Sequence, residues 1–313
     1  MGARRRKGRF VSGWLVLDKP AGIGSTPALG RARRIFNAQK AGHAGTLDPL
    51  ASGILPIAFG EATKTIHMMM DAPKSYECTI RFGATTTTDD AEGEIVEETS
   101  ARPDDAAIRA ALPQFIGEIS QKPPAYSALK VDGRRAYDLA RAGEDPDLAP
   151  RVIRIDDIEM IDRPDVDHVR LRVDCGKGTY IRALGRDLAQ NLGSLGYISA
   201  LRRTRVGYFS LDDAIGLEKL TDLGHSAPDL NELDRLILPL ETVLDDIPGL
   251  ALDENQARMV RHGQSIPVSV DLSADMFWVH YEAKAVALGA LKQGIFRPLR
   301  IINQSPTGVN EME

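Results

Sequence analysis

The carboxylate of Asp48 is the clearest candidate for chemistry, because it stands in a 23-residue stretch, GHAGTLDPLASGILPIAFGEATK, with the composition of an active-site loop. Between His43 and Lys64 the charged side chains are those of Asp48 and Glu61, while glycines and prolines shape the backbone. Pro49 disfavours helical φ/ψ at Asp48 and so predicts an extended or turn geometry there. With an ordinary pKa of about 4, an aspartate is an anion at neutral pH and can act as a nucleophile or base without a second base to activate it.

Three other interpretations of Asp48 compete with that chemistry. An aspartate in a Gly/Pro loop often forms a turn, and on spacing alone we favour this structural role. A sugar hydrolase needs a second carboxyl group, for which Glu61 is the nearby candidate, although the spacing does not show that the two side chains meet. A metal centre needs more ligands than His43 and Asp48, and the sequence contains no HExxH, GxxxxGK[ST] or GxGxxG pattern. We therefore expect no metal and no cofactor.

Length and composition indicate a folded globular protein. A chain of 313 residues with 43% apolar content can bury a large core, and we expect one large domain and one small one. The two cysteines, Cys78 and Cys175, form no CxxC pair, so neither a disulfide framework nor a thiolate zinc site is predicted. No run of about 18 apolar residues occurs, and no apolar segment follows the basic N-terminus. We expect a cytoplasmic protein without membrane insertion that acts as a monomer.

Charge is segregated along the chain, which suggests a polyanionic partner. From Val206 to Val260 twelve acidic residues outweigh three basic ones, a net of −9, so the rest of the chain carries +4 of the total −5. The basic residues form five clusters: Arg4 to Arg9, Arg31 to Arg34, Lys130 to Arg141, Arg182 with Arg186, and Arg202 to Arg205. Each phosphate that such a cluster contacts releases condensed counterions. A solvated helix surface explains any single cluster equally well, but five of them favour RNA or DNA.

Periodicity predicts the elements that would position these side chains. Trp14 to Leu17 is a short apolar strand, and Ser25 is expected to cap the helix that follows. Tyr76 to Phe82 and His168 to Cys175 alternate apolar and polar residues, which is typical of half-buried strands. The second of these strands leads into a helix that carries Arg182. Because strands and helices interleave with no βαβ rhythm and no repeat, we predict an α+β fold.

Two further regions stand apart from this core. Residues 121–150 end in a basic helical pattern and suggest a protruding arm. Near Ile247-Pro248-Gly249 the chain has a candidate linker. Beyond it, Asp253 and Gln256 are expected to form a capping box at the start of a helix that ends at Gly263. Segments with the alternation of strands follow this helix. We therefore divide the chain into a basic tail (1–12), a catalytic domain (13–246) and a small, mostly β C-terminal domain (250–313).

The stretch around Asp48 closely resembles the catalytic motif of the TruB family of tRNA pseudouridine-55 synthases, G-H-x-G-T-L-D-P-x-A-x-G. Other motifs follow in the family's order: Leu17-Asp18-Lys19-Pro20 resembles its Lys-Pro motif, Tyr76 lies where its uracil-stacking tyrosine is expected, Lys122 to Gly133 resembles its RNA-gripping thumb, Gly178 to Arg182 resembles its arginine motif, and Leu201-Arg202-Arg203-Thr204 resembles its late active-site motif. The segment after about residue 250 is similar, though more weakly, to the PUA-like domain of bacterial members.

The resemblance implies a pseudouridine synthase fold, with a mixed, largely antiparallel central sheet flanked by helices and a small C-terminal PUA-like domain. It implies an isomerase that flips uridine 55 out of the T-loop of tRNA, breaks its glycosidic bond and rejoins the base through C5. The expected partner is the T-arm of tRNA. This chemistry involves no redox change and needs no metal.

The resemblance also implies a role for the residues closest to the reaction. Asp48 would be the catalytic nucleophile or base, although whether it attacks C1′, attacks C6 or removes the 2′ proton stays open. Arg182 would orient this carboxylate, lower its pKa and keep it charged. Tyr76 would stack on the flipped base, and His43 would enter the gap left in the RNA.

The remaining candidates support the active site or bind RNA. Tyr180 and Leu201 are expected to form pocket walls, and Lys19 with Pro20 to brace the catalytic loop. The predicted RNA contacts are His43, Lys64, Lys130, Arg134, Arg135, Arg141, Arg202, Arg203 and Arg205. The acidic segment is expected to face away from RNA. A non-catalytic RNA-folding protein that uses the same basic face is the main alternative.

Overall fold

A computed structural model describes residues 8–131, 133–226, 231–269 and 274–303 of the chain. The strands are β1 (Gly13–Lys19), β2 (Ala41–His43), β3 (Ser52–Phe59), β4 (Lys74–Phe82), β5 (Ala84–Thr86), β6 (Ile95–Glu98), β7 (Gly117–Gln121), β8 (Lys130–Val131), β9 (Arg134–Arg135), β10 (Arg151–Asp162), β11 (His168–Cys175), β12 (Gly196–Val206), β13 (Phe209–Ser210), β14 (Ile215–Gly216), β15 (Gly249–Ala251), β16 (Ile266–Pro267), β17 (Ala274–Tyr281), β18 (Lys284–Lys292) and β19 (Ile295–Ile301). The α-helices are α1 (Ser25–Ile35), α2 (Ile66–Asp71), α3 (Asp105–Ala111), α4 (Ala136–Arg141), α5 (Ile181–Asn191), α6 (Leu217–Ser226), α7 (Asn231–Asp234) and α8 (Glu254–Arg261). Short 3-10 helices span Gly60–Thr65, Leu112–Phe115, Leu211–Asp213 and Leu240–Val243.

A mixed sheet forms the centre of the protein, in the strand order β14-β1-β3-β12-β4-β11-β10-β7, with β2 beside β3 and β13 beside β12. The pairs β1 with β14 and β3 with β12 are parallel, and the other pairs are antiparallel. The predicted α+β fold with a largely antiparallel central sheet is confirmed. β12 fills the position between β3 and β4, although both of those strands come much earlier in the chain.

Alternating apolar residues explain why the sheet has a buried face. In β4 the side chains of Cys78, Ile80 and Phe82 are buried, while those between them are partly exposed. β11 spans the same residues that its alternation predicts. Helix α1 covers this face through Ala32 and Phe36, and the ring of Phe36 lies 5.0 Å from that of Phe59 on β3.

The C-terminal part of the chain forms a second sheet, in the order β15-β17-β18-β19-β16. The predicted capping box is confirmed, since Asp253 accepts a hydrogen bond from the backbone of Gln256 at the start of α8 and Gln256 returns one. Ala285 and Leu288 of β18 pack with Trp14 of β1 in one buried cluster. The C-terminal sheet therefore packs directly against the central body.

Two predicted segments extend beyond the described part of the chain. Residues 1–7 of the predicted basic tail and residues 304–313 of the predicted C-terminal domain lie outside the described residues. Where the tail is described, Arg9 pairs with Asp234 of α7. Among the helices of the described ranges, none combines the length and the apolar character needed to cross a bilayer.

The segment predicted to form a basic arm begins at the end of β7. It contains the short hairpin of β8 and β9, followed by helix α4. Ala136 and Leu139 bury one side of α4, while Lys130 and Arg135 are exposed. The basic residues of the hairpin thus face solvent.

Candidate active site

Asp48 lies in the loop between β2 and β3, and a serine from α1 holds this loop in place. The backbone N–H of Leu47 donates to Ser25 Oγ over 2.7 Å, and the Ser25 hydroxyl donates to the Leu47 carbonyl over 2.8 Å. The prediction that Ser25 caps α1 is wrong, because Gly24 is the N-cap residue and makes no side-chain cap. The Ser25 hydroxyl instead fixes the residue that precedes Asp48.

Arg182, in the first turn of α5, meets the Asp48 carboxylate. Its Nε lies 2.9 Å from Asp48 Oδ2, and the Arg182 side chain is only 6% exposed. Its two terminal nitrogens donate to the carbonyls of Thr88 and Tyr126, each over 2.8 Å. Because three segments hold the guanidinium, its donor to Asp48 has a fixed direction.

Burial raises the pKa of Asp48 above its ordinary value, and this effect exceeds the opposing influence of Arg182. The neighbouring carboxylate of Asp90 raises the pKa further, whereas Lys19 lowers it. Arg182 lowers this pKa as expected, but burial outweighs it, so the net shift is upward. The side chain is nevertheless 39% exposed, because it opens onto a cleft.

Asp90 is a site residue that the sequence analysis missed. It is 2% exposed, and its Oδ2 lies 3.6 Å from Nη1 of Arg182. Its Oδ1 accepts hydrogen bonds from the Thr88 hydroxyl over 2.5 Å and from the backbone of Glu92 over 3.0 Å. The surrounding sequence, TTTTDDAEGE, has the composition of a solvated acidic turn, so no local signal separates Asp90 from its neighbours.

A cleft of about 780 Å³ opens beside Asp48 and Arg182. Its far side is formed by the arm, through Tyr126, Tyr137 and Arg141. Small-molecule sites usually have volumes of about 300–1,000 Å³, so the cleft is large enough for a nucleotide. Within the described ranges, no cluster of three or more His, Cys, Asp or Glu side chains is arranged to hold a metal ion.

Lys19 lies behind the Asp48 loop, where it is fully buried. Its ammonium donates to the carbonyls of Pro20 over 2.9 Å and Ile23 over 2.6 Å. Burial lowers the pKa of Lys19 to about 8, and the nearby Asp48 opposes this shift. Pro20 itself is exposed. The contacts of Lys19 are those of a brace for the chain around the loop.

Tyr76 and Leu201 lie on neighbouring strands at the edge of the core, each 9% exposed. Neither side chain lines the cleft in this conformation. Burial raises the pKa of the Tyr76 hydroxyl, and the positive charge of Arg203 opposes this shift. Stacking of Tyr76 on a substrate base would therefore need the cleft to extend toward β4.

Gln121 is a second residue that the sequence analysis missed, and it positions Tyr180. It is 1% exposed, its amide nitrogen donates to the Tyr180 carbonyl over 3.1 Å, and the Tyr180 N–H donates to its amide oxygen over 2.9 Å. Tyr180 immediately precedes α5, so this pair of bonds fixes the start of the helix that carries Arg182. Burial raises the pKa of the Tyr180 hydroxyl.

His43 lies on β2, half-buried, at the start of the Asp48 loop. Its Nδ1 is buried and has no hydrogen-bond partner among the described residues. Burial lowers the pKa of His43, and the positive charge of Arg203 adds to this effect. The imidazole is therefore neutral at pH 7.

The predicted RNA contacts fall into exposed and occupied groups. Lys130, Arg135 and Arg141 are exposed on the arm. Three others are paired with acidic side chains at the surface: Arg134 with Glu144 at 3.0 Å, Arg202 with Asp18 at 2.8 Å, and Arg205 with Asp174 at 3.8 Å. Such exposed pairs contribute little stability, about 0–1 kcal/mol, so phosphates can compete for these cations.

Lys64 does not join this group, because its ammonium is occupied elsewhere. It donates to Glu61 Oε2 and to the Ile301 carbonyl of β19, each over 2.6 Å. Glu61 Oε2 also accepts from the backbone of Asn303 over 2.7 Å. The prediction that Lys64 contacts RNA is not supported, since the residue ties the Asp48 segment to the C-terminal sheet. Glu61 does not line the Asp48 cleft either, so it does not serve as the second carboxyl group of a sugar hydrolase.

The structure contradicts the predicted contact of Arg203 with RNA most directly. Its side chain is 2% exposed, so it cannot reach an RNA phosphate in this conformation. Its Nε donates to the Ile54 carbonyl over 2.7 Å, and Nη2 donates to the Gly45 carbonyl over 3.0 Å. Alternation along β12 separates Arg202 from Arg203, and an irregularity in the pairing with β4 lies between Arg203 and the exposed Arg205.

Comparisons with known proteins find family models and relatives that match much of the chain. The family model described as "TruB family pseudouridylate synthase (N terminal domain)" matches residues 33–181, and "tRNA pseudouridylate synthase B C-terminal domain" matches residues 182–245. The chain is 55% identical over 264 residues to tRNA pseudouridine synthase B of Caulobacter vibrioides, covering 84% of each chain. It is 48% identical over 308 residues to tRNA pseudouridine synthase B of Gluconacetobacter diazotrophicus, covering 96% of this chain and 100% of that one.

The fold also resembles that of a solved ribonucleoprotein component. A chain in the structure of an H/ACA RNP bound to a substrate RNA containing 2′-deoxyuridine superposes with a TM-score of 0.72. The match covers 96% of this chain and 91% of that chain at 23% sequence identity. At this identity the likeness shows a common fold, and the predicted pseudouridine synthase fold is confirmed.

Proposed function

The chain belongs to the TruB family of pseudouridylate synthases, and we propose that it converts uridine 55 in the T-loop of tRNA to pseudouridine with Asp48 as the catalytic residue. It is an enzyme of the isomerase class. The relatives that bear the name tRNA pseudouridine synthase B support tRNA as the substrate. The observation that carries the assignment of Asp48 is its carboxylate, held 2.9 Å from Arg182 Nε at the mouth of a cleft of about 780 Å³.

The reaction breaks the C1′–N1 bond of the uridine and forms a C1′–C5 bond. The hydrogen at C5 is lost and N1 gains one, so the product is an isomer and no electron donor is consumed. Asp48 acts on the sugar or the base as nucleophile or base, and its anion is the reactive form. Arg182 holds this carboxylate in one orientation, which supplies the positioning that the reaction needs.

The target uridine must leave the RNA stack before Asp48 can reach it. Flipping a base costs a few kcal/mol, and a stacking contact returns about 1–3 kcal/mol. We assign the contact with the flipped base to Tyr76 and the filling of the vacated space to His43. A neutral, half-buried imidazole suits that task, because no charge has to be removed from water.

The arm and the basic surface around the cleft are proposed to grip the T-arm. Arg141 and Tyr137 line the cleft opposite Asp48, and Lys130 and Arg135 extend the basic surface outward. Contacts of this kind position RNA without reading its sequence. Specificity is then expected from the folded shape of the T-loop and its unstacked bases.

The domain division and the cellular setting complete the proposal. We assign residues 13–246 to the catalytic domain and residues 250–313 to a PUA-like domain, which is supported by a separate buried cluster around Val279 and Phe296. The two free, buried cysteines, Cys78 and Cys175, suit a reducing cytoplasm. We expect the enzyme to act as a monomer.

The proposal is tested by mapping pseudouridine in transcribed tRNA after incubation with the purified protein and no additive. Wild-type protein should give product in the T-loop only, and Asp48→Asn should bind the same tRNA but give none. Glu61→Gln is the matched control, because its carboxyl group lies against the C-terminal sheet. Product from Asp48→Asn would overturn the catalytic assignment, and product elsewhere in the tRNA would overturn the substrate position.

A further inference from the structure

Arg203 is a buried cation that the proposed reaction does not yet use. At 2% exposure it is the most buried arginine side chain of the site, and among the described residues no carboxylate lies within ion-pair distance of it. An unpaired buried charge is strongly disfavoured unless hydrogen bonds replace its lost hydration.

The hydrogen bonds of Arg203 join both ends of the Asp48 loop. Nη2 donates to the Gly45 carbonyl over 3.0 Å, on the entry side of the loop, and Nε donates to the Ile54 carbonyl over 2.7 Å, on the exit side. A side chain added at Gly45 would meet Arg203 Nη1 at 3.3 Å, which shows how closely the loop fits the guanidinium. The loop is therefore closed at its base by one side chain.

Arg203 is also a cross-strand neighbour of Tyr76. Arg203 on β12 lies directly opposite Tyr76 on β4. On its other side Arg203 pairs with Gly53 of β3, whose φ is +100° and where a Cβ would lie 2.1 Å from the Arg203 carbonyl oxygen. The arginine thus stands between the strand that follows the catalytic loop and the strand that carries the stacking tyrosine.

We propose that Arg203 is a positioning residue, whose buried guanidinium fixes the Asp48 loop against the strand pair that carries Tyr76 and does not contact RNA. This inference rests on the proposed catalytic role of Asp48. It separates Arg203 from Arg202 and Arg205, its neighbours on the same strand, whose side chains reach the surface.

The test compares Arg203→Met, which removes the charge and the donors, with Arg203→Lys, which keeps the charge. Arg102→Met is the control, because Arg102 is a partly buried arginine whose hydrogen bonds also go to nearby loop carbonyls. Arg102 donates to Asp167 and to the carbonyls of Thr99 and Ala101. It lies beside Gly83, just beyond the end of β4 that is remote from Tyr76. Two quantities are measured for each variant: the single-turnover rate of pseudouridine formation at saturating tRNA, and the dissociation constant of tRNA as a function of salt.

Arg203→Met is expected to lower the single-turnover rate about 100-fold, the size of effect that a displacement of about 1 Å at a reacting group produces. Its tRNA affinity and the slope of log affinity against log salt should equal those of the wild type. Arg203→Lys should recover part of the rate. A lost phosphate contact would instead weaken binding and reduce the salt slope by about 1.

Three results would overturn the inference. The first is a wild-type rate in Arg203→Met, and the second is a reduced salt slope of tRNA binding in that variant. The third is a rate loss in Arg102→Met equal to that in Arg203→Met when the two variants have the same thermal stability. If Arg203→Met does not fold, Arg203→Lys decides the question by the same measurements. Failure of the proposed function is distinguishable, because wild-type protein would then form no pseudouridine at all.

Discussion

Replacing Arg182 with methionine should separate the positioning of Asp48 from the binding of RNA. The substitution removes the donor that lies 2.9 Å from Asp48 Oδ2. Losing one partner of a fully buried ion pair costs about 3–5 kcal/mol. Asp48, however, is 39% exposed, so the smaller figure for a hydrogen bond to a charged group, about 1.5–3 kcal/mol, applies. At 1.36 kcal/mol per tenfold, the single-turnover rate should fall about 10- to 160-fold.

The pH dependence of the same variant gives an independent check. Burial raises the pKa of Asp48, and Arg182 is the largest influence that lowers it. If the anion is reactive, activity of the wild type is lost as the pH falls through the raised pKa, at a pH above the ordinary value of about 4. Without Arg182 the pKa rises further, so the acid limb of the rate profile should move to higher pH. The acid limb of Arg182→Lys should lie between those of the wild type and Arg182→Met.

The assay is pseudouridine formation with enzyme in excess over transcribed tRNA, across pH, with tRNA affinity measured in parallel. Arg102→Met controls for the loss of a partly buried guanidinium far from the cleft, and its rate should match the wild type. A rate for Arg182→Met within threefold of the wild type, with an unmoved acid limb, would refute the reasoning. The reasoning would also be refuted if the rate loss of Arg182→Met were matched by an equal loss of tRNA affinity.

Three further predictions follow from single contacts. Gly53→Ala should lower the thermal midpoint by circular dichroism far more than Gly133→Ala, because both have positive φ but only at Gly53 would a Cβ lie 2.1 Å from a backbone oxygen. Gln121→Leu leaves the Tyr180 N–H without its partner, while the Tyr180 carbonyl still accepts from the Leu184 N–H, so urea denaturation should show about 1–3 kcal/mol less stability. His43 should titrate below 6.5 by NMR, since burial disfavours its charged form; a midpoint at or above 6.5 contradicts this.

Local periodicity predicted the elements well, because strand alternation and helix caps depend on neighbouring residues. β11 has the predicted bounds, and the capping box at Asp253 opens α8 as expected. The resemblance to a known family placed Asp48 beside Arg182, which spacing alone did not. Ser25 shows the limit of local reasoning: its type suits an N-cap, but a loop 22 residues away uses its hydroxyl.

Residues that act across the sheet could not be predicted from spacing. Arg203 and Arg202 are adjacent in the sequence, yet one is 2% exposed and the other forms a surface pair, because β12 lies between two strands and alternates its sides. Only the distance between Asp90 and Arg182 in the structure identifies Asp90 as a site residue. Lys64 looked available for RNA because one of its two partners, the Ile301 carbonyl, lies 237 residues away in the sequence.

The position of β12 also determines when the enzyme can become active during its synthesis. Arg203 bonds to residues that precede it by 149 and 158 positions, so the catalytic loop is made long before the strand that closes it. Until β12 emerges from the ribosome, β3 and β4 both lack a strand neighbour, and open strand edges favour aggregation. Pairing over such separations is slow. A nascent chain that ends before β12 therefore contains Asp48 but no assembled site, and activity can begin only after β12 has emerged.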